Sequence, residues 1–159
     1  MITGFVSVGA FVGLAADDHY MFSADAITDM RLCRFDRVEM RNAISRYPAL
    51  AHRLLDIALH EVIIAQEHML LLGRKSVIAR VASFLDDWYR RTMSHDDVQN
   101  GLGLPLTRVD LADYLGLTIE TVSRQLYSLR KQGVITVTKN YNILVIKPRA
   151  LAKISQDSV

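Results

Sequence analysis

The chain has one cysteine, three prolines and eight glycines in 159 residues. A lone thiol, Cys33, allows no disulfide within the chain, no all-cysteine zinc site and no cysteine-ligated iron–sulfur cluster. Long apolar runs are missing as well. The richest, residues 69–72, is four residues long, against the roughly 18 that read as a bilayer-crossing helix, so no membrane partner is expected. No basic region leading into an apolar core and a small-residue cleavage site opens the sequence, and the expectation is a cytoplasmic protein. Enzyme signatures are absent too: there is no His-Glu-x-x-His pair, glycine-rich phosphate loop or Gly-x-Ser-x-Gly elbow. His52, His60 and His68 recur every eight residues, a spacing that drifts by about 80° around a helix and gives no shared ligand geometry. No catalytic residue, metal or cofactor is expected.

What is present is apolar surface and an uneven charge. Half of the residues are hydrophobic and 23% are charged, enough to fold as one ordinary domain or two small ones. Residues 1–73 carry six Arg and no Lys against nine acids, net −3, whereas residues 74–159 carry thirteen Lys and Arg against eight acids, net +5. A basic half of this kind suits a polyanion; scattered surface charge is the plain alternative.

Along the chain, residues 2–8, 20–22 and 30–35 alternate or cluster in the manner of short strands, punctuated by Gly9 and Gly13. Cys33 falls in the last of these and reads as an inert core thiol. A short helix is expected near 37–45, and Pro48 starts a new one, since proline suits a helix's first turn and disfavours helical angles in the residue before it. Over residues 48–72, Ala51, Leu55, Ala58, Val62, Ala65, Met69 and Leu72 are spaced 4-3-4-3-4-3, an unbroken heptad seam. One residue behind runs a second stripe, Leu50, Leu54, Ile57, Ile64 and Leu71, interrupted by Glu61 and His68. Two adjacent apolar stripes leave one for the chain's own core and one for a second copy. A helix wrapped on both sides by a single domain is the alternative. Gly73 is expected to end this helix and Ser76 to cap the next, with Val77, Val81, Phe84, Leu85 and Trp88 on one face. Residues 93–104 then read as a polar loop.

The last third carries the functional signal. Thr107 and Asp110 match a capping box opening a helix over 108–115, and Gly116 suits the left-handed residue that stops it. Thr118 caps a second helix running to about residue 132, ended by Gly133. Small Ala112 marks the crossing of the two helices, and Leu111, Leu115, Val122 and Leu126 face inward. Two helices on a tight glycine turn form a helix-turn-helix. Residues 134–138 and 142–146 flank the turn 139–141 as a β-hairpin, which makes the unit a winged helix. On the second helix Ile119, Glu120, Ser123 and Arg124 lie on the N-terminal outward side, where a recognition helix presents base-reading groups. Arginine donates a bidentate pair to guanine and glutamate accepts from a cytosine amino group. Eight basic residues (Arg108, Arg124, Arg130, Lys131, Lys139, Lys147, Arg149 and Lys153) face three acids between residues 105 and 153, a supply of phosphate contacts.

Residues 104–124, with the core Glu120-Thr121-Val122-Ser123-Arg124, resemble the DNA-binding region of the CRP/FNR family of bacterial transcription regulators, closest to its FNR/FixK branch. The resemblance implies an α+β chain with three parts. Residues 1–47 would be part of a cyclic-nucleotide-binding-type β-roll, 48–73 the dimerisation helix, and 74–159 the winged helix-turn-helix. It implies a homodimer zipped along the Ala51-to-Leu72 seam that binds double-stranded DNA at half-sites of the type TTGAT facing ATCAA. Glu120, Ser123, Arg124 and Ile119 would read bases, Thr107, Arg108, Thr118, Thr121 and Lys139 would hold phosphates, and RNA polymerase would be a partner. A truncated dimerisation partner of a full-length relative is the alternative. The β-roll is represented only in part: a fragment, a misplaced start and a lost sensor all remain open. Where the cyclic-nucleotide branch carries an Arg-Ser pair after a Gly-Glu, residues 13–20 place Asp17 and Asp18 and no Arg, which would repel a cyclic phosphate, so no cyclic nucleotide is expected.

Overall fold

The computed structural model describes residues 1–13, 19–93, 106–137 and 143–157. It divides into two compact units, one of residues Phe5–His68 and one of Met1–Gly4 with Met69–Val159.

In the first unit the residues before 37 form no strand among those described. The strand readings over 2–8, 20–22 and 30–35 therefore do not stand, and the share of a β-roll expected in residues 1–47 has no ladder here. A strand is stable only when a neighbour takes up its N–H and C=O groups and one face is buried. Val8, Met21, Phe22, Leu32 and Phe35 are all exposed, so neither condition is met. Cys33 is exposed as well, not a core thiol. Helix α1, Arg37–Arg46, is capped by Asp36, whose carboxylate accepts from the Val38 and Glu39 N–H groups at 2.8 and 3.2 Å. It stops at Tyr47, the residue before Pro48, as proline sterics require.

Helix α2, Pro48–Arg74, runs 27 residues, about 40 Å at 1.5 Å per residue. Gly73 does not end it. Its backbone stays helical, it is not among the positive-φ glycines, and Lys75 N–H still reaches the Leu71 carbonyl at 3.3 Å.

The second unit holds the core. Helix α3, Val77–Met93, starts at Ser76, whose hydroxyl accepts from Ala79 N–H at 3.4 Å. Ala79, Val81, Ala82, Phe84 and Leu85 are buried on one face of it. Phe84 meets the Tyr114 ring edge-on at 5.7 Å and stacks near Trp88 at 6.1 Å. Strands β1, Ile135–Val137, and β2, Ile143–Val145, pair antiparallel with Ile135 opposite Val145. The hairpin turn expected at 139–141, like the polar loop beyond residue 93, lies outside the described residues. Helix α6, Pro148–Ser155, was not foreseen from the sequence. Pro148 sits in its first turn, Leu151 is fully buried, and the helix packs on α3, where the Ser83 hydroxyl donates to the Ser155 carbonyl at 3.1 Å. The architecture is α+β, with the sheet and the helix pair of the next section joined through one hydrophobic core.

Candidate nucleic-acid interface

Helices α4, Arg108–Leu115, and α5, Ile119–Lys131, form the expected helix pair. The capping box at the start of α4 is complete. The Thr107 hydroxyl accepts from Asp110 N–H at 3.2 Å, and the Asp110 carboxylate accepts from Thr107 N–H at 2.8 Å and from its hydroxyl at 2.7 Å. Gly116, at φ 62°, ends α4, and the next N–H, of Leu117, bonds back to Ala112 at 2.9 Å. The same chemistry ends α5: Gly133 has φ 64°, its N–H reaches Arg130 and the N–H of Val134 reaches Leu129. Both stops need a residue that tolerates the left-handed region. At Gly116 a side chain would also meet Leu72 Cδ2, 3.4 Å from the Cβ position.

Burial divides α5 cleanly. Val122, Leu126 and Leu129 are buried, together with Leu111, Ala112 and Leu115 of α4. On the opposite side Glu120 and Arg124 are exposed, Ile119 is 42% exposed and Ser123 is half-buried. All four expected base readers thus share one accessible face at the N-terminal end of α5. Glu120's carboxyl is held below the usual carboxylate range, first by its own backbone N–H, then by the Thr118 hydroxyl and the nearby Arg124 charge. At neutral pH it is an acceptor only.

Three of the expected phosphate contacts are already engaged on this face. Thr118 accepts from Thr121 N–H at 3.2 Å, the two threonine hydroxyls lie 3.0 Å apart, and Arg124 Nη2 donates to Thr121 Oγ1 at 3.2 Å. Arg108 Nη1 donates to Ser123 Oγ at 3.3 Å, linking α4 to α5. Lys139 lies outside the described residues. Arg149 and Lys153 stand on α6, which packs on α3.

Sequence reasoning missed a groove between the helix pair and the hairpin, about 460 Å³ in volume, with Arg108, Ser123, Tyr127 and Arg130 along it and Leu126, Val137 and Ile143 beneath. Tyr127 is 67% exposed. Its position three residues after Arg124 and four after Ser123 was the available signal, since such positions share a helix face. Arg80 was missed too. Its guanidinium donates to the Lys75 carbonyl at 3.2 Å and the Leu115 carbonyl at 3.4 Å, tying the end of α2 to the turn between α4 and α5.

On α2 the two stripes part company. Leu50, Leu54, Ile57, Ile64 and Leu71 are half-buried within the chain, whereas the seam is open: Leu55, Val62 and Met69 are 56%, 52% and 64% exposed, and Ala58 and Ala65 are exposed. At the ends of the seam, Ala51 and Leu72 are half-buried. No helix of the described residues is long and apolar enough to cross a membrane.

A family model described as a Crp-like helix-turn-helix domain matches residues 79–154. The chain is 40% identical over 136 residues to the nitrogen fixation regulation protein FixK of Bradyrhizobium diazoefficiens, covering 86% of this chain and 57% of that one. It is 39% identical over 148 residues to the transcriptional activatory protein AadR of Rhodopseudomonas palustris, covering 93% and 62%. The chain therefore spans about three-fifths of the length of these relatives. The solved structure of FixK2 from Bradyrhizobium japonicum superposes with a TM-score of 0.70 at 35% identity, over 77% of this chain and 60% of that one. The helix-turn-helix, the relatives and the shared fold agree: the chain belongs to the CRP/FNR family, in its FixK-like branch.

Proposed function

We propose that this protein is a sequence-specific DNA-binding transcription regulator, acting as a homodimer on palindromic sites of the type TTGAT facing ATCAA. The observation that carries the reading is the division of α5, whose Val122–Leu126–Leu129 side is locked in the core while Ile119, Glu120, Ser123 and Arg124 face outward. In this reading Arg124 donates to guanine, the ionised Glu120 accepts from a cytosine amino group, and Ser123 and Ile119 add hydroxyl and apolar contacts. Thr107, Arg108, Thr118, Thr121 and Lys139 face the phosphates, which set affinity and salt dependence. Two chains pair along Ala51, Leu55, Ala58, Val62, Ala65, Met69 and Leu72, so that the two α5 helices enter successive major grooves about 34 Å apart.

The division of labour that goes with this is 1–47 on the sensor side, 48–73 for pairing and 74–159 for DNA. The setting is cytoplasmic, RNA polymerase is the protein partner, and the chain binds rather than catalyses. No cyclic nucleotide enters the scheme. That reading rests on Asp17 and Asp18 in the sequence, which lie outside the described residues. The relatives FixK and AadR, a nitrogen fixation regulation protein and a transcriptional activatory protein, support the same reading.

Fluorescence anisotropy tests it. A labelled palindromic TTGAT–ATCAA duplex is expected to bind at physiological salt at least a thousandfold more tightly than a scrambled duplex of equal length, the low end of specific over non-specific recognition. Equal affinity for the two duplexes would refute sequence-specific binding.

A further inference from the structure

The hydroxyl of Thr121 sits at the centre of a chain of hydrogen bonds on the outer face of α5. It accepts from Arg124 Nη2 at 3.2 Å and lies 3.0 Å from the Thr118 hydroxyl. Thr118 is itself fixed as the N-cap, accepting from Thr121 N–H. A hydroxyl has one hydrogen to give. The hydrogen between the two threonines can come from either hydroxyl. Either way the Thr121 oxygen keeps a lone pair for the Arg124 guanidinium, and the linked bonds polarise one another.

We propose that Thr121 is a positioning residue that sets the base preference of Arg124, by holding its guanidinium in reach of the groove before DNA arrives. This rests on the reading of Arg124 as a base reader and gives Thr121 a task beyond the phosphate contact proposed above. Arginine brings a long side chain with much rotamer freedom, while threonine is stiff at its first torsion. Anchoring the flexible group to the stiff one, a turn earlier on the same helix, removes disorder that binding would otherwise have to remove. The hold also survives recognition. A guanidinium has five N–H donors, and a bidentate pair to guanine uses two of them.

The test uses the 159-residue chain, a palindromic TTGAT–ATCAA duplex, and a second duplex in which the guanine of each half-site and its paired cytosine are exchanged for adenine and thymine. Thr121→Val keeps the shape and removes the hydroxyl; Thr121→Ser restores it. The valine variant is expected to lower the affinity ratio between the duplexes about three- to tenfold per half-site, part of the roughly 5- to 150-fold that a good bidentate pair contributes. The serine variant is expected to keep the ratio within about twofold of wild type, and melting temperatures report whether both variants fold. A uniform loss on both duplexes with a shallower salt slope would reduce Thr121 to a phosphate contact alone and overturn the proposal, as would an unchanged ratio in the valine variant. A wild-type chain that binds the palindrome but ignores the exchange would remove Arg124 as the guanine reader, and this inference with it. Loss of palindrome recognition altogether is a separate outcome, which refutes the proposed function.

Discussion

Ala65→Asp tests the pairing of chains at the point where the seam is least forgiving. Ala65 is exposed on α2, four residues before Met69 and three after Val62. In a parallel pair of helices a seam residue faces its own copy. The substitution therefore brings two carboxylates to within about 5 Å of each other, which at an effective dielectric near 20 opposes pairing by about 3 kcal/mol. Against this stands the burial of Leu55, Val62 and Met69, each a little over half exposed in the single chain. At roughly 1.5–3 kcal/mol for a fully buried side chain, three half-exposed residues on each of two chains supply about 5–9 kcal/mol. The introduced repulsion removes a third or more of that, and the dimer dissociation constant should rise about a hundredfold or more. Sedimentation equilibrium measures the constant directly. Lowering the pH below the titration of the introduced carboxyls should restore pairing, because protonation removes the repulsion. An unaltered dimer at neutral pH would refute the seam as the contact, and so would a wild-type chain that stays monomeric at every concentration tried.

Other expectations are as direct. Arg124→Ala should reduce discrimination between the palindrome and a scrambled duplex by about 1–3 kcal/mol per half-site and leave the melting temperature nearly unchanged; anisotropy and calorimetry would expose the opposite pattern. Gly116→Ala places a Cβ at φ 62° with Leu72 3.4 Å away, so it should destabilise the second unit by about 1–2 kcal/mol, read from urea unfolding. Leu85→Ala, at a fully buried position of α3, should lose about 2–5 kcal/mol by the same measurement. Glu120 titrates below an ordinary carboxylate in the folded chain. Its stabilising contribution is thus complete above the unfolded carboxyl value and lost only as the pH falls through the lower folded one. Accordingly, Glu120→Gln should flatten the pH dependence of stability below about pH 4.5, and unfolding curves that match wild type there would contradict it.

The helix-turn-helix was legible because its signals are local. A Thr–Asp capping box, a capping Thr118 and glycines at the two stops fix both helices within a few residues of sequence, and all of them appear in the structure. The hairpin was legible for a related reason, two β-branched runs a short turn apart. The strand readings before residue 37 failed because a strand depends on a distant partner, which local alternation cannot supply. Gly73 was misread as a stop for a physical reason of its own. Glycine permits the left-handed angle without requiring it, and a helix absorbs one at a cost of about 1 kcal/mol. Helix α6 is short, and its burial comes from α3 some seventy residues earlier, so Leu151 and Ser155 gave no sign of their role. Within the interface, residue types and spacing named the outward face of α5. They could not reveal that Arg108 reaches Ser123 or that Arg124 rests on Thr121, since those contacts depend on where side chains come to lie.

Arg80 has a mechanical consequence. By bonding Lys75 and Leu115 at once, with Leu72 beside Gly116, it couples the end of the long helix to the turn between α4 and α5. One residue inserted ahead of Leu72 would turn the residues that follow by about 100° around the helix axis, and in the proposed DNA-binding role would aim α5 away from its groove. Under the proposed function, the direction in which α5 faces DNA would then depend on the length of the helix before it.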